Sequence, residues 1–408
     1  MNLANIVMHR IQALGRISED PSCLTRQFCS DAMQRANKLV ASWMREAGME
    51  VRQDTIGNLI GHYPSQHNDA KTLLLGSHLD TVRDAGRFDG PLGVLVAIAC
   101  IQNFHQQNIR LPFAVDVLGF ADEEGVRYQT TYLGSKVVAG EFDPSDLKRL
   151  DANGISMAKA IQAFGGNPAR LKNSQANKKK LLGYAEVHIE QGPVLEKQNL
   201  SVGIVSGIAG QTRVLVRFLG CAGHAGTTPM SLRKDALCAA AEFICFVEKQ
   251  ARKISGLVAT VGQIEAKPGA SNVIPGFANL SLDIRHQNDA VRNTAVKIFR
   301  KTAQDIARKR KIKAVWQFVQ ATAAVPCSRQ LTKVLGEAVK RNQKRTVQLP
   351  SGAGHDAAIM ARITPAVMLF VRCKGGISHH PGEWVKVADI QMAIRVMSDF
   401  LQRLAKKK

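Results

Sequence analysis

Residues 72–82 of this chain read TLLLGSHLDTV, an apolar run that leads directly into a histidine and an aspartate. The first four residues of this stretch are typical of a buried strand. A second run, AVDVLGF at residues 114–120, leads in the same way into two adjacent glutamates. Side chains at the carboxyl ends of strands in an open α/β sheet line the crevice where ligands bind. We therefore expect His78, Asp80 and the glutamate pair to meet at one edge of a sheet.

Further acids and histidines lie in glycine-rich or turn-like segments rather than on a periodic face. The candidate residues are His78, Asp80, Asp89, Glu123, Glu124, His188, His379 and His380. Imidazole and carboxylate groups suit zinc, manganese or cobalt, and the absence of a thiol among them favours a catalytic over a structural metal site. A tetrahedral ion that keeps one position open for water needs only three protein ligands, and five candidate ligands exceed that number. The set therefore predicts two ions that share one carboxylate.

The segments also suggest how the roles divide. Asp89 is the expected bridge, because GRFDGPLG places it in a glycine-flanked turn where both oxygens can approach metal. Glu123 and Glu124 are chain neighbours whose side chains diverge, so one is expected to bind metal while the other acts on water. Asp80 can hydrogen-bond the second nitrogen of His78 and fix its tautomer. Any one of these residues alone is more commonly a turn or capping group, so the prediction depends on their coincidence.

Length and composition limit the class of protein. A chain of 408 residues is too long for one ordinary core, which predicts two domains. Hydrophobic residues make up 45% and charged residues 22%, as in globular proteins. The charged N-terminal stretch is unlike a secretory signal, and no apolar run reaches the ~18 residues of a membrane span, so we expect a cytoplasmic protein without membrane contact. Its eight cysteines contain no C-x-x-C pair and are predicted to be reduced and buried.

The chain is strongly basic, with a formal net charge of +22. The excess is concentrated in three runs, which are Lys178–Lys180, Arg292–Lys313 and Lys406–Lys408. No nucleic-acid motif accompanies these runs, and aromatic residues are only 5% of the chain. A solvated basic surface is therefore favoured over a specific nucleic-acid site. The same charge would steer small anions toward the protein.

The order of the elements predicts an α/β fold with an inserted domain. A helix over Arg26–Gly48, a helix over Leu92–Gln107 and the strand that ends at Phe120 indicate a layered sheet. From Gln211 the order becomes strand, helix, strand, strand, helix, strand, with GHAGTTPM as a loop, which is typical of a ferredoxin-like α+β layer. We predict a catalytic domain of residues 1–210 and 326–408 and an inserted domain of residues 211–325.

Eight motifs together resemble one family. They are GSHLDTV, GRFDGPLGV, DEEGVRY, HIEQGPVLE, GHAGTTPM, SNVIPG, SGAGHDA and GGISHHPGE, which follow one another in this order, and the overall resemblance runs from about residue 10 to the C-terminus. This set resembles the amidase branch of the M20 metallopeptidase-like hydrolases, which contains allantoate amidohydrolase, N-carbamoyl-L-amino acid hydrolase and β-ureidopropionase. The resemblance implies two metal ions in the larger domain, and a smaller lid domain that forms a homodimer interface.

The resemblance also implies roles for individual residues. One ion would be held by His78, Asp89 and His188, and the other by Asp89, Glu124 and His379. Glu123 would be the general base, Asp80 would support His78, and His380 would lie outside the metal site. The lid would supply substrate contacts from His224, Asn272 and Arg285, with His224 also assisting catalysis. Gln191 and Gly354 are further substrate-binding candidates because they lie close to the metal motifs.

These residues suit a small anionic ureido substrate. Arg285 offers a planar fork for a carboxylate, and His224 and Asn272 can donate to a developing oxyanion. The predicted function is a metal-dependent amidohydrolase that cleaves a ureido C–N bond, with allantoate as the leading substrate. N-carbamoyl-L-amino acids and N-carbamoyl-β-alanine remain open alternatives. An aminoacylase or dipeptidase is disfavoured because such relatives usually carry an acid at the position of His188, and a binding protein without catalysis is disfavoured by the complete ligand set.

Overall fold

The structure is a computed structural model that describes residues 2–406. The chain forms two compact units. The first comprises the chain up to Ser206 and again from Cys327, and the second comprises Gly207–Pro326. The catalytic and lid roles predicted for these parts of the chain remain proposals. No helix among the described residues is long and apolar enough to cross a membrane.

Helices and strands alternate along most of the chain. The described helices are α1 (Leu3–Leu14), α2 (Asp31–Glu46), α3 (Pro91–Gln106), α4 (Leu133–Ala139), α5 (Met157–Ala163), α6 (Val194–Lys197), α7 (Ala236–Ala251), α8 (Asp289–Lys309), α9 (Arg329–Asn342), α10 (Asp356–Met360) and α11 (Val387–Lys406). The described strands are β1 (Glu50–Gln53), β2 (Leu59–Tyr63), β3 (Thr72–His78), β4 (Ala114–Phe120), β5 (Leu181–Ile189), β6 (Val202–Ile208), β7 (Gly210–Leu219), β8 (Gly223–His224), β9 (Val258–Lys267), β10 (Val273–Ile274), β11 (Phe277–His286), β12 (Lys313–Thr322), β13 (Val325–Pro326), β14 (Gln348–Ser351) and β15 (Ala366–Val371).

A mixed sheet forms the centre of the first unit. Its strand order is β1-β2-β4-β3-β5-β15-β6-β13, with β14 paired to β6. Strands β4, β3, β5 and β15 are parallel neighbours, and the strands beyond them pair antiparallel. The parallel strands are apolar on both faces, as expected for strands covered on both sides. Their four carboxyl ends therefore lie side by side at one edge of the sheet.

The second unit is an α+β layer. Strands β12, β7, β11 and β9 form an antiparallel sheet in that order. Alternate residues such as Val216 and Leu280 pack with Phe243 of α7 and Phe299 of α8 in a separate core. A mixed α/β sheet with an α+β second unit confirms the predicted fold class.

Some local predictions were wrong. The helix predicted over Arg26–Gly48 begins at Asp31, because the Ser30 side chain caps it by accepting from the amide of Met33. Upstream of that cap, the buried guanidinium of Arg26 donates to the carbonyl oxygen of Leu79, and this contact lies outside the helix. The predicted loop GHAGTTPM begins with a strand, because β8 pairs with β10.

The cysteines differ in part from the prediction. All eight are free, as predicted for reduced thiols. Cys100 and Cys373 are buried, but Cys221, Cys238 and Cys245 are exposed. Cys238 and Cys245 lie two turns apart on the face of α7 that does not pack on the sheet, so an apolar sequence neighbourhood did not mean burial.

Candidate metal centre

The candidate residues of the first unit converge at the carboxyl ends of its four parallel strands. His78 is the last residue of β3, and His188 is the penultimate residue of β5. Glu123 and Glu124 lie three and four residues beyond the end of β4, and His379 lies on the segment that follows β15. Carboxyl ends of parallel strands are where open α/β sheets bind ligands. The sheet therefore positions residues that are as many as 301 positions apart in sequence, from His78 to His379.

Asp89 lies at the centre of the cluster. One of its oxygens, Oδ1, is 3.1 Å from Nε2 of His188 and 3.6 Å from Nε2 of His78. The other oxygen, Oδ2, is 3.1 Å from Nε2 of His379, which in turn is 3.3 Å from Oε1 of Glu124. The two oxygens of Asp89 thus face different partners. This is the arrangement that a carboxylate bridging two sites requires.

A close approach in the backbone makes this position of Asp89 possible. The next residue, Gly90, has φ of +81°, a conformation that L side chains rarely adopt. A Cβ atom on Gly90 would lie 2.5 Å from Cε1 of the His78 ring. Glycine is therefore needed there both for its backbone conformation and for contact with the imidazole.

Hydrogen bonds fix the orientation of two imidazoles. Nδ1 of His78 lies 3.1 Å from the carbonyl oxygen of Asp80 and 3.4 Å from its Oδ1. Nδ1 of His188 lies 3.0 Å from the carbonyl oxygen of Ile189. Both Nδ1 atoms face acceptors, which favours a proton on Nδ1. A neutral ring of this tautomer would direct the lone pair of Nε2 toward Asp89, whereas a protonated ring donates to Asp89 from Nε2. Metal-binding histidines are commonly held in this way.

Asp80 also orders the loop that carries the glutamates. Its carboxylate oxygens accept hydrogen bonds from the backbone amides of Glu123 (3.0 Å) and Glu124 (3.1 Å). The Asp80 side chain is 1% exposed, so these bonds are shielded from water. The support that the sequence predicted for His78 therefore extends to both glutamates.

The donor chemistry and geometry fit divalent cations. Among the described residues, four groups of three have candidate ligand atoms within 4.8 Å of one another, and one of them is His78–Glu123–Glu124. Two of the four share Asp89, and these are His78–Asp89–His188 and Asp89–Glu124–His379. Nitrogen and oxygen donors suit zinc, manganese or cobalt. His380 belongs to neither group, and it is exposed, with Nδ1 accepting from the amide of Gly382.

The ionisation of these groups follows from their burial and their neighbours. Burial disfavours the charged form of Asp89, but hydrogen bonds from His188, His379 and His78 outweigh it and hold the pKa of Asp89 well below its usual range. Hydrogen bonds to Asp89 and Glu124 raise the pKa of His379 to about 10. Burial, reinforced by the charge of Glu124, raises the pKa of Glu123 well above its usual range. The raised pKa makes the Glu123 carboxylate a stronger base, as suits a group that takes a proton from water and passes it on.

Four more buried side chains belong to this region and were not predicted from the sequence. They are Glu186, His355, Asp356 and Glu383. Glu186 joins His188 and His355 in a third group of closely spaced potential ligands, and the rings of His188 and His355 lie 4.4 Å apart. Glu186 is two residues before His188 on β5, so strand periodicity could have placed them on one face.

Glu383 connects two segments of the site. Its Oε1 accepts from the amides of Phe88 (2.7 Å) and Asp89 (3.0 Å). It is only four residues after His379 in the chain. Glu383 thus ties the turn that carries Asp89 to the segment that carries His379, and its place in GGISHHPGE was the sequence signal that could have found it.

Gln191 and Gly354 also lie in the first unit. Nε2 of Gln191 donates to Oδ2 of Asp89 (2.9 Å) and to Oγ of Ser378 (3.0 Å). Gly354 is close to Tyr132, because a Cβ atom at Gly354 would lie 1.8 Å from the tyrosine hydroxyl oxygen. Gln191 therefore contacts the candidate ligand Asp89 directly, whereas Gly354 contacts Tyr132.

The predicted substrate contacts of the lid belong to the second unit. His224 and Asn272 are near each other across the β8–β10 pair, where the amide of Ala225 donates to the carbonyl oxygen of Asn272 (2.9 Å). His224 is exposed, and its Nδ1 accepts from the amide of Gly226. Arg285 lies on β11, and its Nε and a terminal nitrogen donate to the two oxygens of Asp283 at 2.9 and 3.0 Å. The Arg285 guanidinium, which was predicted to bind a substrate carboxylate, is thus paired with the carboxylate of Asp283.

Comparison with known proteins gives the family. Residues 74–403 match the model of peptidase family M20/M25/M40. N-carbamoyl-L-amino acid amidohydrolase of Geobacillus stearothermophilus is 40% identical over 97% of both chains. Probable allantoate deiminase of Oryza sativa subsp. japonica is 39% identical over 97% of this chain and 87% of its own. The crystal structure of an amidase of the hydantoinase/carbamoylase family from Burkholderia multivorans superposes with a TM-score of 0.92 at 29% identity, covering 98% and 97% of the two chains.

The chain therefore belongs to peptidase family M20/M25/M40. Within that family it falls in the amidase branch, as the motifs predicted, and it is a hydrolase of C–N bonds outside peptides.

Proposed function

We propose that this protein is a metal-dependent amidohydrolase that cleaves the ureido C–N bond of a small anionic substrate, with allantoate as the preferred one. The observation that carries the proposal is the position of Asp89, whose two oxygens face two different groups of potential ligands. Glu123 lies beside them with a pKa raised by burial. The names of the relatives, an N-carbamoyl-L-amino acid amidohydrolase and a probable allantoate deiminase, support a ureido substrate.

The ligand set assigns the metal sites. His78, Asp89 and His188 would hold one divalent cation, and Asp89, Glu124 and His379 would hold the other. When bound, zinc, manganese or cobalt supplies Lewis acidity to the reacting carbonyl and to water.

Glu123 would move the proton in this reaction. It takes a proton from the attacking water and delivers it to the leaving nitrogen, so that a C–O bond forms as the C–N bond breaks and ammonia departs. The carbamate that remains loses carbon dioxide. Glu123 suits both halves of the transfer because its backbone is fixed by Asp80 and its carboxyl group is buried.

The second unit would supply the substrate contacts. Arg285 would bind the substrate carboxylate by exchanging its partner Asp283 for the ligand, and His224 and Asn272 would donate to the oxyanion. Asp283 keeps the guanidinium in one orientation before substrate arrives, which limits the freedom lost on binding.

An N-carbamoyl-L-amino acid is the second candidate substrate, because the relative with 40% identity is named for it. Allantoate and N-carbamoyl amino acids share a carboxylate and a ureido group and differ in the remaining substituent. A steady-state comparison of allantoate, N-carbamoyl-L-amino acids and N-carbamoyl-β-alanine, with zinc, manganese or cobalt restored, tests the proposal. We expect the highest kcat/KM for allantoate. A protein that binds metal yet hydrolyses none of these compounds would contradict the proposed function.

A further inference from the structure

Tyr132 differs from the other tyrosines of the chain in the state of its hydroxyl. The chain has four tyrosines, all within residues 2–406. The hydroxyls of Tyr63, Tyr128 and Tyr184 donate to the backbone carbonyl oxygens of Ile109, Ile155 and Gly76. Among the described residues, the Tyr132 hydroxyl has no hydrogen-bond partner. The hydroxyl is therefore available to form a hydrogen bond with a bound ligand.

The backbone of Tyr132 is also unusual. It has φ of +64° and ψ of +31°, the left-handed region that a bulky residue rarely adopts. Two hydrogen bonds hold this conformation, since its amide donates to the carbonyl oxygen of Glu123 (3.1 Å) and its own carbonyl accepts from the amide of Lys136 (2.9 Å). Such a conformation persists only where the surroundings enforce it, and it is common at functional sites. Tyr132 is thus fixed to the segment that carries Glu123.

The hydroxyl is directed at Gly354. A Cβ atom on Gly354 would lie 1.8 Å from the hydroxyl oxygen and 3.1 Å from Cζ of the ring. Burial, and then the charges of Glu123 and Asp356, raise the pKa of Tyr132, so the group stays a neutral hydroxyl. A neutral hydroxyl can both donate and accept. It is therefore suited to a neutral polar group that carries both a carbonyl oxygen and N–H groups.

We propose that the Tyr132 hydroxyl binds the substituent of the substrate that is not hydrolysed, and that it selects a second ureido group over an alkyl side chain. This inference rests on the proposed function and extends it to the substrate class. Allantoate carries two ureido groups on one carbon, so one is cleaved while the other remains as a spectator. An N-carbamoyl amino acid has its side chain at that place. An apolar side chain would leave the hydroxyl without a partner, which lowers the affinity for that substrate.

N-carbamoyl-L-leucine is a close apolar counterpart of allantoate. Its isobutyl group has the same branched arrangement of heavy atoms as a ureido group but cannot form hydrogen bonds. We expect wild-type enzyme to favour allantoate in kcat/KM, and Tyr132→Phe to reduce kcat/KM for allantoate about tenfold. The value for N-carbamoyl-L-leucine should stay the same or rise. If one of the two compounds is hydrolysed too slowly for kcat/KM to be measured, its inhibition constant against the other compound is compared between the variants instead. Metal content, measured by mass spectrometry, should be unchanged.

Tyr128→Phe is the matched control. It removes a hydroxyl four residues away that donates to Ile155, so any loss should appear in thermal stability and should affect both substrates equally. A second test uses Gly354→Ala, whose methyl group would collide with the Tyr132 hydroxyl. The loss of allantoate activity that it causes should be smaller in a Tyr132→Phe background, because the hydroxyl is gone.

The outcomes separate the two proposals. If wild-type enzyme hydrolyses neither substrate, the proposed function fails and this inference fails with it. If wild-type enzyme is active but prefers N-carbamoyl-L-leucine, or if Tyr132→Phe changes both substrates by the same factor or neither, the role of Tyr132 is refuted while the amidohydrolase remains. A selective loss on allantoate with normal metal content supports the assignment.

Discussion

At the scale of single residues, Asp80 explains how two adjacent glutamates acquire different roles. Its two carboxylate oxygens accept from the amides of Glu123 and Glu124, which fixes the backbone between them. Glu124 then approaches His379, whereas Glu123 is buried and lies near His78. The proposed division between a metal ligand and a proton carrier therefore depends on Asp80, a carboxylate that belongs to none of the groups of potential ligands found among the described residues.

The first prediction tests this division. Glu123→Gln should leave metal content near normal and lower kcat by a factor of about 10² to 10⁴, because the amide cannot take the proton from water. Glu124→Ala should instead deplete one ion. Metal content by mass spectrometry, with kcat on the best substrate, distinguishes the two variants. If Glu123→Gln lost its metal together with its activity, Glu123 would be a ligand and the division would be wrong.

The second prediction concerns adjacent histidines. His379→Ala should weaken metal binding and abolish most activity, since Nε2 of His379 faces both Asp89 and Glu124. His380→Ala is the matched control, and it should keep both properties within about tenfold. Among the described residues, its imidazole accepts from the amide of Gly382 and belongs to no group of potential ligands. Calorimetric titration with zinc or manganese measures the affinity directly. The opposite ranking of the two variants would show that His380 is the ligand.

The sequence could predict the residues that lie in glycine-rich segments at strand ends, because such segments carry their own signal. The motif GGISHHPGE marks Glu383, but the sequence could not predict its contact with the amide of Asp89, which is 294 positions away. Asp356 was missed for a similar reason. It begins α10 in SGAGHDA, and only the fold shows that it is fully buried with no hydrogen-bond partner for either oxygen among the described residues. Residue type and spacing indicate what a side chain can do, whereas burial and partners depend on the packed structure.

At the scale of elements, the connection from β3 to α3 determines the position of Asp89. Helix α3 begins at Pro91, directly after Gly90, and a Cβ atom on Gly93 of its first turn would lie 2.1 Å from the carbonyl oxygen of Val187 in β5. The helix thus packs closely on the sheet only because glycine is present. This close packing brings the turn that carries Asp89 up to His78 and His188.

The third prediction tests that connection. Gly90→Ala should sharply weaken metal binding, because its methyl group would overlap the His78 imidazole. Gly154→Ala is the matched control: Gly154 has φ of +75°, close to the +81° of Gly90, but a Cβ atom there would meet no atom within 4 Å beyond its chain neighbours. Both variants should lose about 1 kcal/mol of stability from backbone strain, measured by denaturant unfolding of the metal-free proteins. Equal metal affinity in the two variants would refute the steric argument.

Helices and strands were predictable where the hydrophobic pattern in the sequence is long. The helix predicted over Leu92–Gln107 spans Pro91–Gln106, one residue from the expected position at each end. Strands β8 and β10 have two residues each, too few for any periodicity, and so His224 was expected in a loop. Helix α7 is apolar on more than one side, and the sequence could not show that only one side packs on its sheet.

At the scale of the whole molecule, the proposed chemistry is divided between the two units. Within residues 2–406, every group of potential metal ligands lies in the first unit, and His224, Asn272 and Arg285 lie in the second. The formal net charge of +22 gives the protein a positive electrostatic field, which would attract an anionic substrate to its surface. The resemblance predicts a homodimer, and we propose that the partner subunit contributes the residues that complete each site.

The last prediction tests this sharing of residues between subunits. Glu123→Gln and His224→Ala should each be nearly inactive alone, the first for lack of a proton carrier and the second for lack of an oxyanion donor. In a mixed dimer with a shared site, one site combines both defects and the other has neither. Random exchange makes about half of the dimers mixed, so activity should recover to roughly a quarter of wild type. Subunit exchange is verified with two affinity tags. The control is a mixture of Glu123→Gln with Glu124→Ala. Both of these defects lie in the first unit, so no mixed dimer can contain an intact site and no activity should be recovered. Verified exchange without recovery would mean that each subunit uses its own His224.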